Sequence, residues 1–359
     1  MSSSLRFLLY PFSLIYGIGS LLYHKMYDLK IKKSVSFEIP VISVGNLSTG
    51  GSGKTPHVEY IIRLLKDHYQ TGILSRGYRR KSKGYFLLDE FSTVKDGGDE
   101  PVQIKKKFPD VSVAVCEERA IAIPIMLLDN PELQVIVLDD AFQHRQVQPG
   151  LSILLTNYAK PFYEDHLLPM GNLREPVSGV ARADVIVVTK CPTDLSSENK
   201  QKRTKELQHH PNQRVFFSYI KYAAPYSLFN LNKKLVLQRD DAVYLFTAIA
   251  DHQPLLQHLQ GVVGEVLIKT YPDHYYFSAS DLKKLQSNFS KLNGTRNFLL
   301  TTEKDAARLI SFKEYLVNQQ LEIFCMPLEV KFFEEEEFDQ LIYSFVQSYS
   351  NSFTHIDEG

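Results

Sequence analysis

Residues 48–56 read Ser-Thr-Gly-Gly-Ser-Gly-Lys-Thr-Pro, and these residue types in this order can hold a polyphosphate. Closely spaced glycines let successive backbone N–H groups point at phosphate oxygens, a lysine reaches the outer phosphates, and a neighbouring hydroxyl can hold a divalent cation. Gly50, Gly51, Gly53, Lys54 and Thr55 supply these groups in turn, and Ser48, Thr49 and Ser52 complete the loop. The strict pattern has a glycine where this chain has Ser48, so the motif is a variant. Its surroundings compensate. The apolar run "VISVG" at 41–45 precedes it as a strand, and Pro56 followed by Val58, Ile61, Ile62, Leu64 and Leu65 has helical spacing, with proline tolerated in the first turn. A glycine-rich turn with an incidental lysine is the plain alternative. The companion feature is "VIVLDD" at 135–140, a strand running into Asp139 and Asp140. That form sets a carboxylate beside Mg²⁺, which makes Thr55, Asp139 and Asp140 the candidate metal ligands, although acids at a strand end are also common without a metal.

Phosphoryl transfer to a hydroxyl further needs a base or orienting pair for the acceptor and cations for the charge in transit. "GGDEP" at 97–101 offers Asp99 and Glu100, "SRGYRRKSKG" at 75–84 offers a dense cationic loop, and "YPDHYYF" at 271–277 offers His274 beside Asp273. Singly, each also reads as a turn, a solvated basic loop, or a structural histidine. A guanine-reading motif is disfavoured, because Pro192 stands in "VVTKCPTD" where an aspartate should follow Lys190. The extra early lysine usual in partitioning and metal-insertion ATPases is missing from "STGGSGKT" as well.

These groups need a scaffold, and the pattern from residue 40 onward supplies one. Short β-branched runs alternate with helical stretches, giving strands at 41–45, 72–75, 112–116, 135–140, 151–156 and 184–190. That alternation predicts an α/β fold with a doubly wound, mostly parallel sheet of the P-loop NTPase type. The polar stretch 192–213 reads as a surface helix closing this sheet. A second alternation near 240, with "AVYLFTAIA", "EVLIKTY" and "NFLLTT" separated by helical segments at 252–260 and 279–291, predicts a smaller α/β domain. "VFFSYIKY" at 215–222 and "LEIFCMPLEV" at 321–330 can pair as a two-stranded linker between the two. The expected division is therefore an N-terminal helix over 1–30, the nucleotide-binding domain over 31–214, a linker strand over 215–234, the smaller domain over 235–320, and a return strand with a closing helix over 321–359. The glutamates that open this last helix suit its N-terminal dipole and read as a solvated face.

The chain's 359 residues carry 41 basic and 41 acidic side chains, so no global field draws it to nucleic acid. Cys116, Cys191 and Cys325 are too few and too scattered for a disulfide framework or a zinc site. Between Arg6 and His24 lie seventeen uncharged residues, "FLLYPFSLIYGIGSLLY", followed by Lys25, Lys30, Lys32 and Lys33. Pro11, two glycines and two serines weaken this stretch as a span, and the tyrosines suit a headgroup boundary, so a helix over 5–23 lying on a membrane surface is expected. A buried helix capping the core is the alternative, and a cleaved signal peptide is disfavoured.

Taken in order, "SVGNLSTGGSGKTP", "LSRGYRRKSKG", "GDEP", "VLDDAFQHR", "LLPMGNLREP", "VVTKCP", "YPDHYYF" and "TTEKDAARL" resemble the tetraacyldisaccharide 4'-kinases, over about residues 40–310. The resemblance implies an ATP- and Mg²⁺-dependent kinase on the cytoplasmic face of the bacterial inner membrane. Its acceptor would be the 4'-hydroxyl of a tetraacylated glucosamine disaccharide 1-phosphate, the lipid A precursor. It implies that Lys54 grips the phosphates, that Thr55 with one or both of Asp139 and Asp140 holds Mg²⁺, and that Asp99 and His274 form the dyad that takes the acceptor proton. Arg76, Arg119, Gln143, His144, Arg174 and Glu175 would line the site. No nucleic acid and no obligate protein partner are expected. A nucleotide-switched membrane ATPase acting on a protein partner, and a kinase of another membrane amphiphile, are the competing readings. The chain departs from the family pattern at Ala248 and Ala250, which stand where glycines are common, and this brings in His252 beside Asp251 as a second, lower-ranked histidine.

Overall fold

The computed structural model describes residues 7–353. All six expected strands of the large sheet are present: β1 (Val41–Asn46), β2 (Thr71–Ser75), β4 (Ser112–Val115), β5 (Val135–Asp139), β6 (Leu151–Asn157) and β7 (Val185–Thr189). A two-residue strand β3 (Phe86–Leu87), β8 (Arg214–Tyr222) and β15 (Leu328–Phe332) bring the sheet to nine strands, in the order β15-β8-β7-β6-β1-β5-β2-β4-β3. The run from β8 to β4 is parallel and the two edge strands are antiparallel. Every residue of β1, β2, β5 and β7 is buried, as expected when helices cover both faces of a parallel sheet. Strand order reverses at β1, between β5 and β6, so a crevice opens beyond its carboxyl end. The phosphate loop begins there.

Helices α1 (Tyr10–Asp28), α2 (Lys54–Leu65), α3 (Asp99–Lys107), α4 (Arg119–Asp129) and α5 (Ser197–Leu207) belong to this half of the molecule. The smaller sheet has the order β10-β9-β14-β13-β11-β12, from β9 (Tyr226–Ser227), β10 (Asn230–Lys234), β11 (Asp241–Thr247), β12 (Glu265–Thr270), β13 (Arg296–Thr302) and β14 (Ile323–Met326). Helices α6 (Gln253–Val262), α7 (Ala279–Phe289) and α8 (Glu303–Leu309) flank it. Alternation along β11 sends Tyr244 and Phe246 into one core and Val243 and Leu245 into another.

The two link strands pair antiparallel, with Leu328 opposite Tyr222 and Phe332 opposite Ser218. The stretch 215–234 is nevertheless not a separate linker. β8 also pairs with β7, and Phe216 and Phe217 are buried in the cores on opposite faces, which makes its first half the seventh parallel strand of the large sheet. The stretch 321–330 divides at Pro327, with β14 in the small sheet and β15 in the large one. The chain then closes with α9 (Glu335–Phe353), whose Asp339 accepts from the Tyr60 hydroxyl at 2.6 Å and whose Tyr343 hydroxyl donates to the Leu64 carbonyl at 2.7 Å. The last helix thus covers α2, the helix that follows the phosphate loop.

α1 runs on to Asp28, past the expected end, and residues 1–6 of the expected helix lie outside the described residues. It is seated through small and polar groups. Ser13 Oγ donates to the Leu167 carbonyl at 3.0 Å, Tyr16 donates to the Arg174 carbonyl at 2.8 Å, and a Cβ on Gly17 would come within 2.7 Å of Leu167. Its large apolar side chains Phe12, Ile15, Ile18 and Leu22 all point outward, each about 60% exposed or more. Among the described residues no helix is long and apolar enough to cross a membrane.

Candidate active site

β1 delivers the loop and α2 carries it away. Gly53 caps α2 at φ +82°, a left-handed conformation that a side chain would strain. The loop is wired to its surroundings by side chains. Asn46 Nδ2 donates to the Ser48 carbonyl at 2.7 Å and to Ser52 Oγ at 2.8 Å, Thr189 Oγ1 donates to the Ser52 carbonyl at 3.0 Å, and the Thr49 amide donates to the Asn172 carbonyl at 2.7 Å. Buried His57 bonds the Gly53 carbonyl through Nδ1 at 2.7 Å and Ser218 Oγ through Nε2 at 2.9 Å. Lys54 Nζ donates to Asn46 Oδ1 at 3.1 Å and stands 3.6 Å from Asp140.

The acid pair at the end of β5 splits into two environments. Asp139 is buried, accepts from Ser75 Oγ at 3.1 Å through one oxygen, and has no partner for its other oxygen, Oδ1. Burial, and then the charge of Asp140, push its carboxyl up to about 6. Asp140 takes a left-handed φ of 48° and is gripped by Arg174 NH1 at 3.0 Å and NH2 at 3.2 Å. Burial works to raise its carboxyl, but Lys54 and then Arg174 outweigh it and hold Asp140 below the usual carboxylate range.

The second cluster spans both halves of the molecule. Asp99 is the first residue of α3, where the helix dipole favours a negative charge. Its Oδ2 accepts from His274 Nδ1 at 2.7 Å, so two residues 175 positions apart in sequence are in direct contact. His274 sits at φ +61° after β12, and its Nε2 lies 3.4 Å from Lys304 Nζ and 3.7 Å from Asp273. Arg308 NH2 donates to the same Asp99 oxygen at 2.6 Å. Burial would raise the Asp99 carboxyl, yet the hydrogen bonds from His274 and Arg308 and the charges of Arg308 and Lys304 carry it far below the usual range.

One cavity of about 1400 Å³ joins the two clusters. Its walls include residues 49–55, both aspartates of the β5 end, Arg76, Gln143, His144, Arg174 and His274, with Tyr16 and Tyr23 of α1 at one side. Burial, then Arg119 and Arg76, push His144 down to about 3, so it faces the cavity as neutral imidazole at neutral pH. Four expected residues do not line this space, and one of them, Asp99, reaches it only through His274. The Ser48 carbonyl is taken up by Asn46, and fully buried Arg119 lies behind the acid pair, donating to the Asp139 carbonyl at 2.7 Å and the Asp140 carbonyl at 3.2 Å. Glu175 is also fully buried and ties Gln143 at 2.9 Å to Arg182 at 2.6 Å. Both are supports for residues that do face the cavity. His252 precedes α6 without a side-chain cap bond, its ring meets the neighbouring Gln253 at 3.4 Å, and it does not line this space. The loop at Ala248 and Ala250 keeps negative φ, and Asp305 Oδ2 receives the Ala248 amide at 3.0 Å, so glycine is not needed there. Asn46, Lys304 and Arg308 are the site residues that sequence reasoning passed over. The available signal was position, Asn46 at the strand end before the loop and Arg308 one helical turn after Asp305.

A family model described as Tetraacyldisaccharide-1-P 4'-kinase matches residues 5–347. This chain belongs to the tetraacyldisaccharide-1-P 4'-kinase family. It is 41% identical over 355 residues to the tetraacyldisaccharide 4'-kinase of Bacteroides thetaiotaomicron, covering 94% of this chain and 93% of that one. It is 42% identical over 346 residues to that of Flavobacterium johnsoniae, covering 96% and 98%. Among solved structures, LpxK from Aquifex aeolicus in complex with ATP superposes with a TM-score of 0.73 at 31% identity, covering 95% of this chain and 99% of that one. Membership makes the protein a kinase of lipid A biosynthesis, with ATP as its nucleotide.

Proposed function

We propose that this kinase moves the γ-phosphoryl group of ATP to the 4'-hydroxyl of a tetraacylated glucosamine disaccharide 1-phosphate, working on the cytoplasmic face of the bacterial inner membrane. The observation that carries the reading is one cavity with the phosphate loop on one wall, the Asp99-backed His274 on another, and an outward-apolar helix at its side. The loop amides and Lys54 cradle the phosphates, and Arg174 and Arg76 add positive charge where the phosphoryl group passes. The Asp99–His274 pair receives the acceptor proton, help worth roughly 10² to 10⁴ in rate.

The residues present also suit Mg²⁺. Thr55, Asp139 and Asp140 are hard oxygen donors, and the partnerless buried Oδ1 of Asp139 is an acceptor a cation would satisfy. Among the described residues no group of three or more His, Cys, Asp or Glu side chains is arranged to hold a metal ion by itself. When bound, Mg²⁺ neutralises charge on the phosphate oxygens. Lys54 and Arg174, which keep Asp140 ionised, preserve its capacity to coordinate.

The substrate's acyl chains favour the bilayer by about 0.8 kcal/mol per CH₂, so the enzyme must come to them. The outward residues of α1 and the lysines at 25–33 suit an anionic lipid surface. The reading is tested by incubating the protein with Mg²⁺, γ-labelled ATP and the tetraacyl disaccharide 1-phosphate in detergent, beside Asp99→Ala and His274→Ala. Label in the lipid, lost in both variants while ATP still binds, is the expected result. An ATP-binding protein that labels no lipid would overturn it.

A further inference from the structure

Resting on that reading, we propose that Arg308 is a positioning residue of the phosphoryl transfer, holding Asp99 as a pure acceptor so that the acceptor hydroxyl's proton goes to Nε2 of His274. Asp99 Oδ2 takes two donors, Arg308 NH2 at 2.6 Å and His274 Nδ1 at 2.7 Å. An arginine donates only protons and always carries its charge, so the carboxylate it grips is held ionised and accepts from both partners. The ring nitrogen beside Asp99 is therefore the protonated one. Lys304, also donor-only, approaches the other nitrogen at 3.4 Å, which leaves Nε2 as the ring's acceptor.

Arg308 is itself rigidly held. Its side chain is 1% exposed, and NH1 donates to Asp305 Oδ1 at 2.9 Å. The other Asp305 oxygen, Oδ2, receives Thr247 Oγ1 at 2.7 Å, the Ala248 amide at 3.0 Å and Thr302 Oγ1 at 2.8 Å. The Ala248 carbonyl in turn accepts the His274 amide at 3.3 Å. A single set of bonds thus fixes both members of the dyad, Asp99 through its carboxylate and His274 through its backbone. The far end of α8 is anchored too. Glu303 meets Lys107 of α3 at 2.7 Å, and the same lysine meets Glu59 of α2 at 2.7 Å. The helices bearing Asp99, Arg308 and Lys54 of the phosphate loop are therefore braced against one another.

In the step this geometry supports, a lone pair of the 4'-oxygen forms the bond to the γ-phosphorus as its O–H proton passes to Nε2 of His274. The bond between the γ-phosphorus and the β,γ-bridging oxygen breaks, and its electron pair leaves on ADP. The imidazolium, stabilised by Asp99, then returns its proton to water. The charged and titratable groups facing the ring are Asp99 and Glu100 of α3, Asp273 on its own loop, Lys304 and Arg308 of α8, and Tyr78 of the basic loop.

The test compares wild type, Arg308→Lys and Arg308→Met in the lipid-phosphorylation assay, with ATP binding and thermal melting measured alongside. In Arg308→Met, kcat is expected to fall about 10- to 100-fold with KM for ATP within about twofold, a share of the dyad's worth. If the methionine variant does not fold, Arg308→Lys carries the test. It keeps the charge but not the two-pronged fork that joins Asp99 to Asp305, so kcat should fall while KM for ATP holds. Histidine ¹⁵N NMR of wild type at pH 8 should find His274 protonated on Nδ1 and bare on Nε2. An Nε2–H tautomer, or folded variants with unchanged kcat, would overturn the proposal. If wild type labels no lipid, the functional reading fails, while the NMR result still judges the Arg308 arrangement by itself.

Discussion

Acid should cost the fold stability through His57, the buried histidine behind the phosphate loop. The Gly53 carbonyl can only accept, so Nδ1 of His57 carries the proton and Nε2 accepts from the Ser218 hydroxyl. A second ring proton would keep both contacts, since Ser218 Oγ can turn its hydroxyl to the Val188 carbonyl at 3.3 Å. What resists protonation is burial of the charge. Burial pushes His57 down to about 4 from its ordinary 6.5, with the Gly53 bond opposing weakly. The unfolded chain therefore binds this proton first as pH falls. Stability is complete above pH 6.5, declines as pH drops through the window from 6.5 to 4, and levels off below it. At 1.36 kcal/mol per unit, the full loss is about 3 kcal/mol, of which about 2 kcal/mol is gone by pH 5. Urea unfolding at pH 7.5, 6 and 5 measures it, with His57→Gln as the reference that keeps a polar side chain but does not titrate. The variant should be less stable at pH 7.5 and flatter between pH 7.5 and 5 by about 2 kcal/mol. Parallel pH slopes for the two proteins, or an NMR titration of His57 near 6.5, would refute the reasoning.

Replacing Phe12, Ile15, Ile18 and Leu22 together by serine removes about 1 kcal/mol of apolar transfer each, so partitioning onto anionic vesicles should drop about 1000-fold in a sedimentation assay, with thermal stability unchanged. Asn46→Ala removes the amide that holds Lys54, Arg174 and the Ser48 carbonyl at once. ATP affinity by calorimetry should weaken about tenfold, since bonds to charged groups contribute about 1.5–3 kcal/mol each and water replaces only part of that. Asp139→Asn should raise the Mg²⁺ concentration for half-maximal turnover about tenfold or more, and a magnesium titration unchanged from wild type would remove Asp139 from the ligand set. Glu303→Gln should cost stability, measured by melting, because Lys107 then faces Glu59 alone and the Tyr226 hydroxyl loses its charged acceptor at 2.8 Å.

The parts of the site that were legible in sequence are those in which neighbouring residues do the work. Gly50 to Thr55 form the loop from contiguous residues, and Asp139 and Asp140 end a strand whose apolar run announces it. Asp99 and His274 were offered singly by their motifs, but their pairing came from resemblance, because no local rule joins residues that far apart. Asn46 and Arg308 were hidden for a related reason. A strand-end asparagine and a helical arginine are ordinary until a fold turns them toward Lys54 and Asp99. Phe216 and Phe217 show the same limit in the fold, since a strand with two adjacent aromatic residues reads equally well as a linker or as an inner strand until the sheet supplies a neighbour on each side. Ser48, Arg119 and Glu175 stand in motifs around the cavity yet face away from it, because sequence proximity to a site does not reveal which layer a side chain occupies.

The placement of α9 also bears on the order in which the chain can be completed as it is made. The phosphate-loop helix is covered by residues 279 positions later, through Tyr60 to Asp339 and Leu64 to Tyr343. The small sheet is threaded between β8 and β15, which lie side by side. A ribosome therefore exposes the apolar flank of α2 early and delivers its cover last, after the whole of the small unit has emerged. During that interval Tyr60 lacks both its hydrogen-bond acceptor and the Phe332–Phe338 stack beneath it. The nucleotide-binding half begins the chain and is finished only by its end. A truncated product lacking α9 should accordingly behave as an unfinished core that seeks chaperones, rather than as a kinase missing an ornament.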